Sequence, residues 1–173
     1  MAATQVHIHA LLPEELSERI VSACRKENAR IGMDEALLHA PLAITLKQGY
    51  ETPDITVCLD QLKAYFTGHG GFAAMIARIT VINGMLWLEL SKEPSLARVH
   101  LNLDRLLQSQ FDVPEKAFDE DFRPHVTLFQ GQGEDNLNAM AQALEGRFEQ
   151  EVFGIDLIRI EISGQPDLLL PLA

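Results

Sequence analysis

The sequence predicts an α+β fold in which two pseudo-symmetric lobes, each a mostly antiparallel sheet flanked by helices, enclose a central cleft. Segments with strand-like alternation and segments with helix-like apolar stripes follow one another along the whole chain. The order strand, proline-containing loop, helix and Thr-Leu strand occurs from His7 to Leu46 and again from Trp87 to Leu128. The chain has 173 residues, of which 47% are hydrophobic. We therefore expect residues 1–173 to form a single domain made of two duplicated lobes.

The first half is predicted to contain two strands and two helices. A strand covers residues 5–11, with Val6, Ile8 and Ala10 on one face and His7 and His9 on the other. Pro13 opens a helix, and a strand over 42–47 follows a loop around Gly32. A second helix lies near 54–67 and ends at a glycine-rich turn. The predicted inward residues of the helices are Leu16, Ile20, Ala23, Cys24, Leu59, Leu62 and Phe66.

The second half is predicted to contain a hairpin, two helices and three further strands. Strands over 72–82 and 85–91 are joined by Asn83-Gly84, a strong signal for a tight hairpin turn. A helix over 95–110, a strand over 124–129 and a helix that starts near Asp135 come next, and strands over 151–163 and 167–172 close the chain. The predicted inward residues of these helices are Leu96, Val99, Leu103, Leu106, Leu137, Met140, Leu144 and Phe148.

The charge balance limits the class of partner. A formal net charge of −11 argues against a long nucleic-acid-binding face, which would need clustered Lys and Arg, but it allows a small anionic ligand. No apolar run is long enough to cross a membrane and the amino terminus has no signal-peptide pattern. Cys24 and Cys58 have no metal-type spacing. We expect a cytoplasmic monomer with reduced thiols and no membrane partner.

The candidate catalytic residues are His125 and Thr127. Two residues apart on a strand, they point to the same face, so an imidazole that moves protons lies beside a hydroxyl that can hold a phosphate oxygen. The strand that contains Ala43 and Thr45 repeats this pattern with alanine in place of histidine. A partly buried polar pair on a sheet is the simpler alternative for His125 and Thr127. For Ala43 and Thr45 taken alone, an ordinary strand is the simpler interpretation.

Pro124-His125-Val126-Thr127-Leu128 resembles the second signature of the two-histidine (2H) phosphoesterases, which include bacterial 2′-5′ RNA ligase-like proteins and cyclic phosphodiesterases. Ala43-Ile44-Thr45-Leu46 resembles a degenerate first signature. The resemblance implies a metal-independent reaction, without a cofactor, on the 2′,3′-cyclic phosphate of a nucleotide or RNA end. It further implies that His125 carries protons and that Thr45 and Thr127 hold the non-bridging oxygens, while Ala43 occupies the vacant position of the second proton carrier.

The alanine at 43 should impair turnover unless another group substitutes, because a positioned acid or base contributes about 10²- to 10⁴-fold. His39 lies four residues earlier, and His7 and His9 share the face of the first strand that should look into the cleft. We expect His7 or His9 to line the substrate site and partly fill the vacancy. An introduced substitution at position 43 would give the same pattern.

The sequence also offers two cationic side chains that could bind phosphate, and it leaves two other function classes open. Lys47 and Arg123 are candidate phosphate contacts at the cleft mouth, although such residues are more often solvated edge charges. A protein that binds nucleotides or RNA ends but has lost its chemistry through Ala43 is the main alternative to an enzyme. A metal-dependent hydrolase built on His7 and His9 is less favoured, since no further ligand cluster has suitable spacing.

Overall fold

A computed structural model describes residues 4–111 and 121–173. Over these residues the chain forms eight strands and four helices, in the order expected from the sequence. They are β1 Thr4–Leu11, α1 Glu14–Ile31, β2 Ala43–Thr52, α2 Ile55–Thr67, β3 Phe72–Ile82, β4 Met85–Leu90, α3 Ser95–Phe111, β5 His125–Gln130, α4 Glu134–Leu144, β6 Val152–Ile155, β7 Leu157–Ile162 and β8 Leu168–Pro171.

The strands form two antiparallel four-stranded sheets. The first lobe has the order β2-β1-β7-β8 and the second has the order β5-β4-β3-β6. Strands β2 and β5 are therefore edge strands of their own sheets, and they contact one another where the lobes meet. Helices flank both sheets, so the predicted α+β class with two pseudo-symmetric lobes is confirmed. The division of residues 1–173 into one domain with duplicated halves stays a prediction.

The two strands that carry the Thr-Leu motif, β2 and β5, are called the motif strands. Each pairs with its neighbour, β1 or β4, in the same register. On β1 and β2 the partners are His9 with Thr45, Ala10 with Ile44 and Leu11 with Ala43. On β4 and β5 they are Trp87 with Thr127, Leu88 with Val126 and Glu89 with His125. The backbone thus makes Ala43 the structural counterpart of His125, and Thr45 the counterpart of Thr127.

A one-residue bulge follows each threonine. Ile8 pairs with Lys47 while His9 pairs with Thr45, so Leu46 is an extra residue on β2. Leu128 is extra on β5 in the same way. A bulge inverts the alternation of side chains along the strand. Residues 43–48 and 125–130 accordingly have the same order of half-buried, buried and exposed positions.

The core agrees with the predicted apolar stripes, with small differences. Leu16, Ile20 and Cys24 of α1 are buried as expected. In α3, Leu107 is fully buried and Leu106 only partly, because the stripe that starts at Leu96 drifts with the 3.6-residue period. None of the helices in the described ranges combines the length and the apolar character needed to cross a bilayer.

Two predicted strand boundaries are wrong. The strand placed at 42–47 extends to Thr52, because its pairing with β1 continues past the bulge. The single strand expected over 151–163 is two strands in different sheets, since β6 pairs with β3 whereas β7 pairs with β1. The break falls at Asp156, whose carbonyl accepts a hydrogen bond from the Leu172 N–H. Pattern alone did not show that the chain changes sheets there.

Helix α3 joins the lobes. It follows β4 in the chain, yet it contacts β2 of the first lobe as well as β3 of the second. Nδ1 of His100 lies 2.7 Å from the Leu46 carbonyl oxygen, a geometry that requires Nδ1–H to be the donor. The His100 ring stacks on Phe122 at a centroid distance of 4.0 Å. The helix therefore holds the β2 bulge and the chain that leads into β5.

Candidate functional site

His125 begins β5 and is held by two contacts. Its Nδ1 lies 2.7 Å from the Arg123 carbonyl oxygen, and its ring stacks on Trp87 with centroids 3.6 Å apart and planes inclined by 10°. A carbonyl only accepts hydrogen bonds, so Nδ1 must carry the proton of the neutral ring. Nε2 then has a free lone pair. The backbone and the indole therefore fix both the tautomer and the orientation of a potential base.

The charge environment of His125 favours that neutral form. Burial lowers the pKa of His125 below its ordinary value, and the hydrogen bond to Arg123 and the nearby carboxylate of Glu89 only partly offset it. Burial would raise the pKa of Glu89, but hydrogen bonds from Arg78 and Arg123 outweigh it and hold that pKa below its usual range. Glu89 therefore stays ionised opposite His125, with its charge compensated by two arginines at 2.6 and 2.8 Å.

His9 occupies the place in the first lobe that Trp87 occupies in the second. Its Nδ1 lies 3.4 Å from the Thr45 hydroxyl, and its Nε2 lies 3.4 Å from a Glu161 carboxylate oxygen in a geometry that is not a hydrogen bond. Burial and, next, the Arg159 guanidinium lower the pKa of His9 to about 4, against the opposing effect of Glu161. His9 is thus neutral at pH 7 and has both nitrogens directed at protein groups.

One cavity of about 200 Å³ lies between the motif strands. It is smaller than the usual pocket for a whole drug-sized ligand, so a ligand of that size would extend beyond it. The titratable side chains of its described lining are three histidines and Arg159, and no carboxylate belongs to it. The lining residues are His9, Leu37, His39, Pro41, Leu42, Ala43, Thr45, His125, Val126, Thr127 and Arg159.

Several candidates from the sequence meet in this cavity. Thr45 and Thr127 both line it, together with His125, His9 and the small side chain of Ala43. The bulges explain why each threonine faces the cleft while the next two residues of its strand, such as Leu46 and Lys47, are buried. The structure thus brings the motif residues together, and the role of each remains a prediction.

Three predicted substrate-binding residues lie elsewhere. Lys47, 1% exposed, pairs with Asp104 of α3 at 2.7 Å, because the bulge turns it away from the cleft; it is neither a cleft contact nor a solvated edge charge. Arg123 binds Glu89 and lies with its guanidinium carbon 5.4 Å from the Trp87 ring centroid. His7 shares the face of His9, with ring centroids 6.2 Å apart, but packs against Gly49 outside the cavity lining.

Sequence reasoning missed Arg159. This residue pairs in register with His9 on β7, so it lies in the same transverse row as Thr45. Its Nε is buried without a hydrogen bond, and the Asp167 carboxylate is 3.8 Å away from it. The only local signal was the alternation of charged and apolar residues from Leu157 to Ile162, which is common on exposed strands.

His39 reaches the cavity from the loop before β2. The loop is anchored on both sides of this residue: Arg25 donates to the Leu38 carbonyl at 2.8 Å, and the Leu42 N–H donates to the Ser17 hydroxyl at 3.0 Å. Leu38 and Leu42 are buried, whereas His39 is exposed. Its imidazole makes no hydrogen bond or ion pair with any residue in the described ranges.

The model of the 2′-5′ RNA ligase superfamily matches residues 12–162, which is most of the chain. The chain belongs to this superfamily. The resemblance to 2H phosphoesterases is therefore confirmed at the level of family and fold, and the assignment of Ala43 to a degenerate first signature stays a prediction. No curated protein sequence matches the chain.

The structure of this superfamily member is also similar to several solved structures. E. coli LigT in apo form is 15% identical with a TM-score of 0.64, over 100% of this chain and 96% of LigT. TT0787 of Thermus thermophilus is 15% identical with a TM-score of 0.63, over 98% and 95% of the two chains. Kluyveromyces marxianus Usb1 is 11% identical with a TM-score of 0.61, over 97% and 98%. At these identities the similarity shows the fold alone.

The described part of this superfamily member contains no cluster of three or more His, Cys, Asp or Glu side chains arranged to hold a metal ion. The nearly parallel rings of His7 and His9 do not converge on a common point, since one packs on Gly49 and the other contacts Thr45. A metal-dependent hydrolase built on these two histidines therefore gains no support from their geometry.

Proposed function

We propose that this protein is a metal-independent phosphodiesterase that opens 2′,3′-cyclic phosphates of nucleotides or RNA ends. The observation that carries the proposal is the shared cavity in which Thr45, Thr127 and His125 meet from equivalent positions of two lobes. Two hydroxyls on facing strands suit the two non-bridging oxygens of a phosphodiester. The Arg159 guanidinium adds a fixed positive charge to the same lining.

His125 serves as the general base in this proposal. Its neutral tautomer presents the Nε2 lone pair, which removes a proton from a water molecule as the water oxygen attacks phosphorus. The lowered pKa keeps the ring unprotonated at neutral pH, as this role requires. The carbonyl of Arg123 accepts the Nδ1–H bond throughout, so it also stabilises the imidazolium that forms.

What the structural relatives bind agrees with this ligand class. E. coli LigT has been crystallised with phosphate, with 3′-AMP and with ATP. Kluyveromyces marxianus Usb1 has been crystallised with uridine monophosphate. By analogy, we expect the phosphate of a nucleotide to bind in the cavity of this chain. The remainder of the nucleotide would lie outside it, because 200 Å³ is too small for the whole molecule.

A nucleotide- or RNA-end-binding protein without turnover is the second candidate, and Ala43 favours it. The position that matches His125 in register carries no titratable group. If the second proton carrier is lost and not replaced, the threonines and Arg159 still bind a phosphate, but the chemical step slows by about 10²- to 10⁴-fold.

Hydrolysis of 2′,3′-cyclic nucleotides by the purified protein in the presence of EDTA separates these candidates. The enzyme proposal expects turnover that chelator does not reduce, with inorganic phosphate as a competitive inhibitor. Phosphate binding by calorimetry without any product supports the binding protein. Turnover that disappears with EDTA and returns with a divalent metal contradicts both.

The oligomeric state and the cellular location are further expectations. We expect a monomer in the cytoplasm, where Cys24 and Cys58 remain reduced; both are buried and unpaired. Sedimentation equilibrium tests the monomer, and fractionation of cells tests the location.

A further inference from the structure

Ala43, the counterpart of His125, has no group that could give a proton to the leaving oxygen, so another side chain must supply it. The base on β5 requires an acid on the other side of phosphorus when the leaving group is a ribose hydroxyl. Three histidines precede position 43 in the first lobe, at 7, 9 and 39. Their surroundings differ enough to decide among them.

His7 and His9 are both unsuited to this task. His7 lies outside the cavity lining, against Gly49. His9 lines the cavity, but its Nδ1 faces the Thr45 hydroxyl and its Nε2 is enclosed beside Glu161. Burial and the Arg159 guanidinium also lower its pKa to about 4, so near pH 7 the ring is not an imidazolium that could act as a general acid.

Arg159 is excluded for a different reason. A guanidinium stabilises a developing negative charge, but it does not release a proton in proteins. Its place in the row of Thr45 and His9 therefore suits it to bind phosphate oxygens. The described lining contains no carboxyl, amine or thiol that could replace an imidazole.

We propose that His39 is the general acid of this site, supplied by the loop before β2 in place of the side chain missing at Ala43. The inference rests on the proposed phosphodiesterase function. His39 lines the same 200 Å³ cavity as Ala43 and Thr45, and its ring is not bound to other described residues. The anchors at Leu38 and Leu42 fix the loop on both sides, which limits the freedom that the imidazole loses on binding substrate.

The proton balance of the step is complete without a co-reactant. Nε2 of His125 takes a proton from water, and the water oxygen forms a bond to phosphorus. The bond from phosphorus to the ribose oxygen breaks, and protonated His39 gives its proton to that oxygen. The products are a nucleoside monophosphate with a free hydroxyl, and the two imidazoles return to their starting states by proton exchange with solvent.

The test compares kcat and KM for a 2′,3′-cyclic nucleotide in the native protein, His39→Ala, Ala43→His and the double variant. His39→Ala should lower kcat by at least about 100-fold with KM changed less than about threefold, because the ring acts in the chemical step. The double variant His39→Ala, Ala43→His should have a kcat at least about tenfold higher than that of His39→Ala. His69→Ala, in a turn far along the chain from the motif strands, is the matched control and should change neither constant.

A pH profile distinguishes an acid from a merely structural side chain. Native kcat should fall on the alkaline side as the acid loses its proton, and this limb should be absent in His39→Ala. An unchanged kcat in His39→Ala, or a loss with the alkaline limb retained, overturns the assignment of His39. Absence of turnover in the native protein instead overturns the proposed function, so the two failures are distinguishable.

Discussion

Residues 43–48 of β2 and residues 125–130 of β5 share a register, a bulge and an order of burial, yet they differ in two side chains that matter. The cleft-facing position holds Ala43 in one lobe and His125 in the other. The buried position after the bulge holds Lys47 in one and Phe129 in the other. The two strands thus have the same backbone pairing and burial, but different side chains at two equivalent positions.

At each of these two positions the neighbouring residues also differ between the lobes. Lys47 is accommodated in the core by Asp104, which also accepts a hydrogen bond from Gln108. His125 is oriented by stacking on Trp87, whereas the equivalent neighbour of Ala43 is His9. The surroundings of β2 and β5 therefore depend on residues from other elements as much as on the two strands themselves.

The largest expected effect comes from removing the imidazole of β5. His125→Ala should lower kcat for a 2′,3′-cyclic nucleotide by about 10²- to 10⁴-fold, because it removes the proton carrier of the motif strands. Steady-state kinetics at pH 7 measure it. His69→Ala, outside the described cavity lining, serves as the control, and activity retained in His125→Ala would remove His125 from the mechanism.

Breaking the buried ion pair beneath β2 should have the next largest effect, on stability. Asp104→Ala leaves the Lys47 ammonium buried without this carboxylate, which costs about 3–5 kcal/mol in unfolding free energy. Urea unfolding measures the loss. The double variant Lys47→Met, Asp104→Leu makes this lobe apolar like its counterpart and should recover most of it, and a double variant no more stable than Asp104→Ala would show that the charges are not the cause.

Removing either cleft hydroxyl tests whether the lobes bind phosphate equally. Thr45→Val and Thr127→Val each delete one hydrogen bond to a charged group, about 1.5–3 kcal/mol, so each should weaken phosphate binding roughly 10- to 100-fold. Isothermal titration calorimetry gives both values. If only one variant loses affinity, a single lobe holds the anion and the symmetric proposal is wrong.

Placing a histidine at the vacant position should make the two strands alike. Ala43→His in the native background should raise kcat by about tenfold, less than a fully positioned acid contributes, because His39 already donates a proton. Ala43→Asn, of comparable polarity but without a titrating group, is the control. An equal gain in both variants would attribute the change to cavity shape.

The last expected effect concerns stability in acid and does not involve the chemical step. The pKa of His9 is about 4 in the folded protein and about 6.5 when exposed, so the unfolded chain takes up a proton first and stability falls as pH drops from about 6.5 to 4. His9→Gln should reduce the fall in melting temperature over this range by roughly 5–10 °C. Calorimetric scans at about pH 7.5 and about pH 4.5 measure it, with His69→Gln as control; an unchanged slope would locate the acid sensitivity elsewhere.

The sequence alone determined the element order, the hairpin at Asn83-Gly84 and the pairing of His125 with Thr127 on one face, because these depend on local turn chemistry and on side-chain periods of 2 and 3.6. It also identified the family. Tertiary structure decided the burial of Lys47, the place of Arg159 in the cleft and the change of sheet at Asp156. These depend on bulges and cross-strand registers set by distant partners, which a local pattern does not encode.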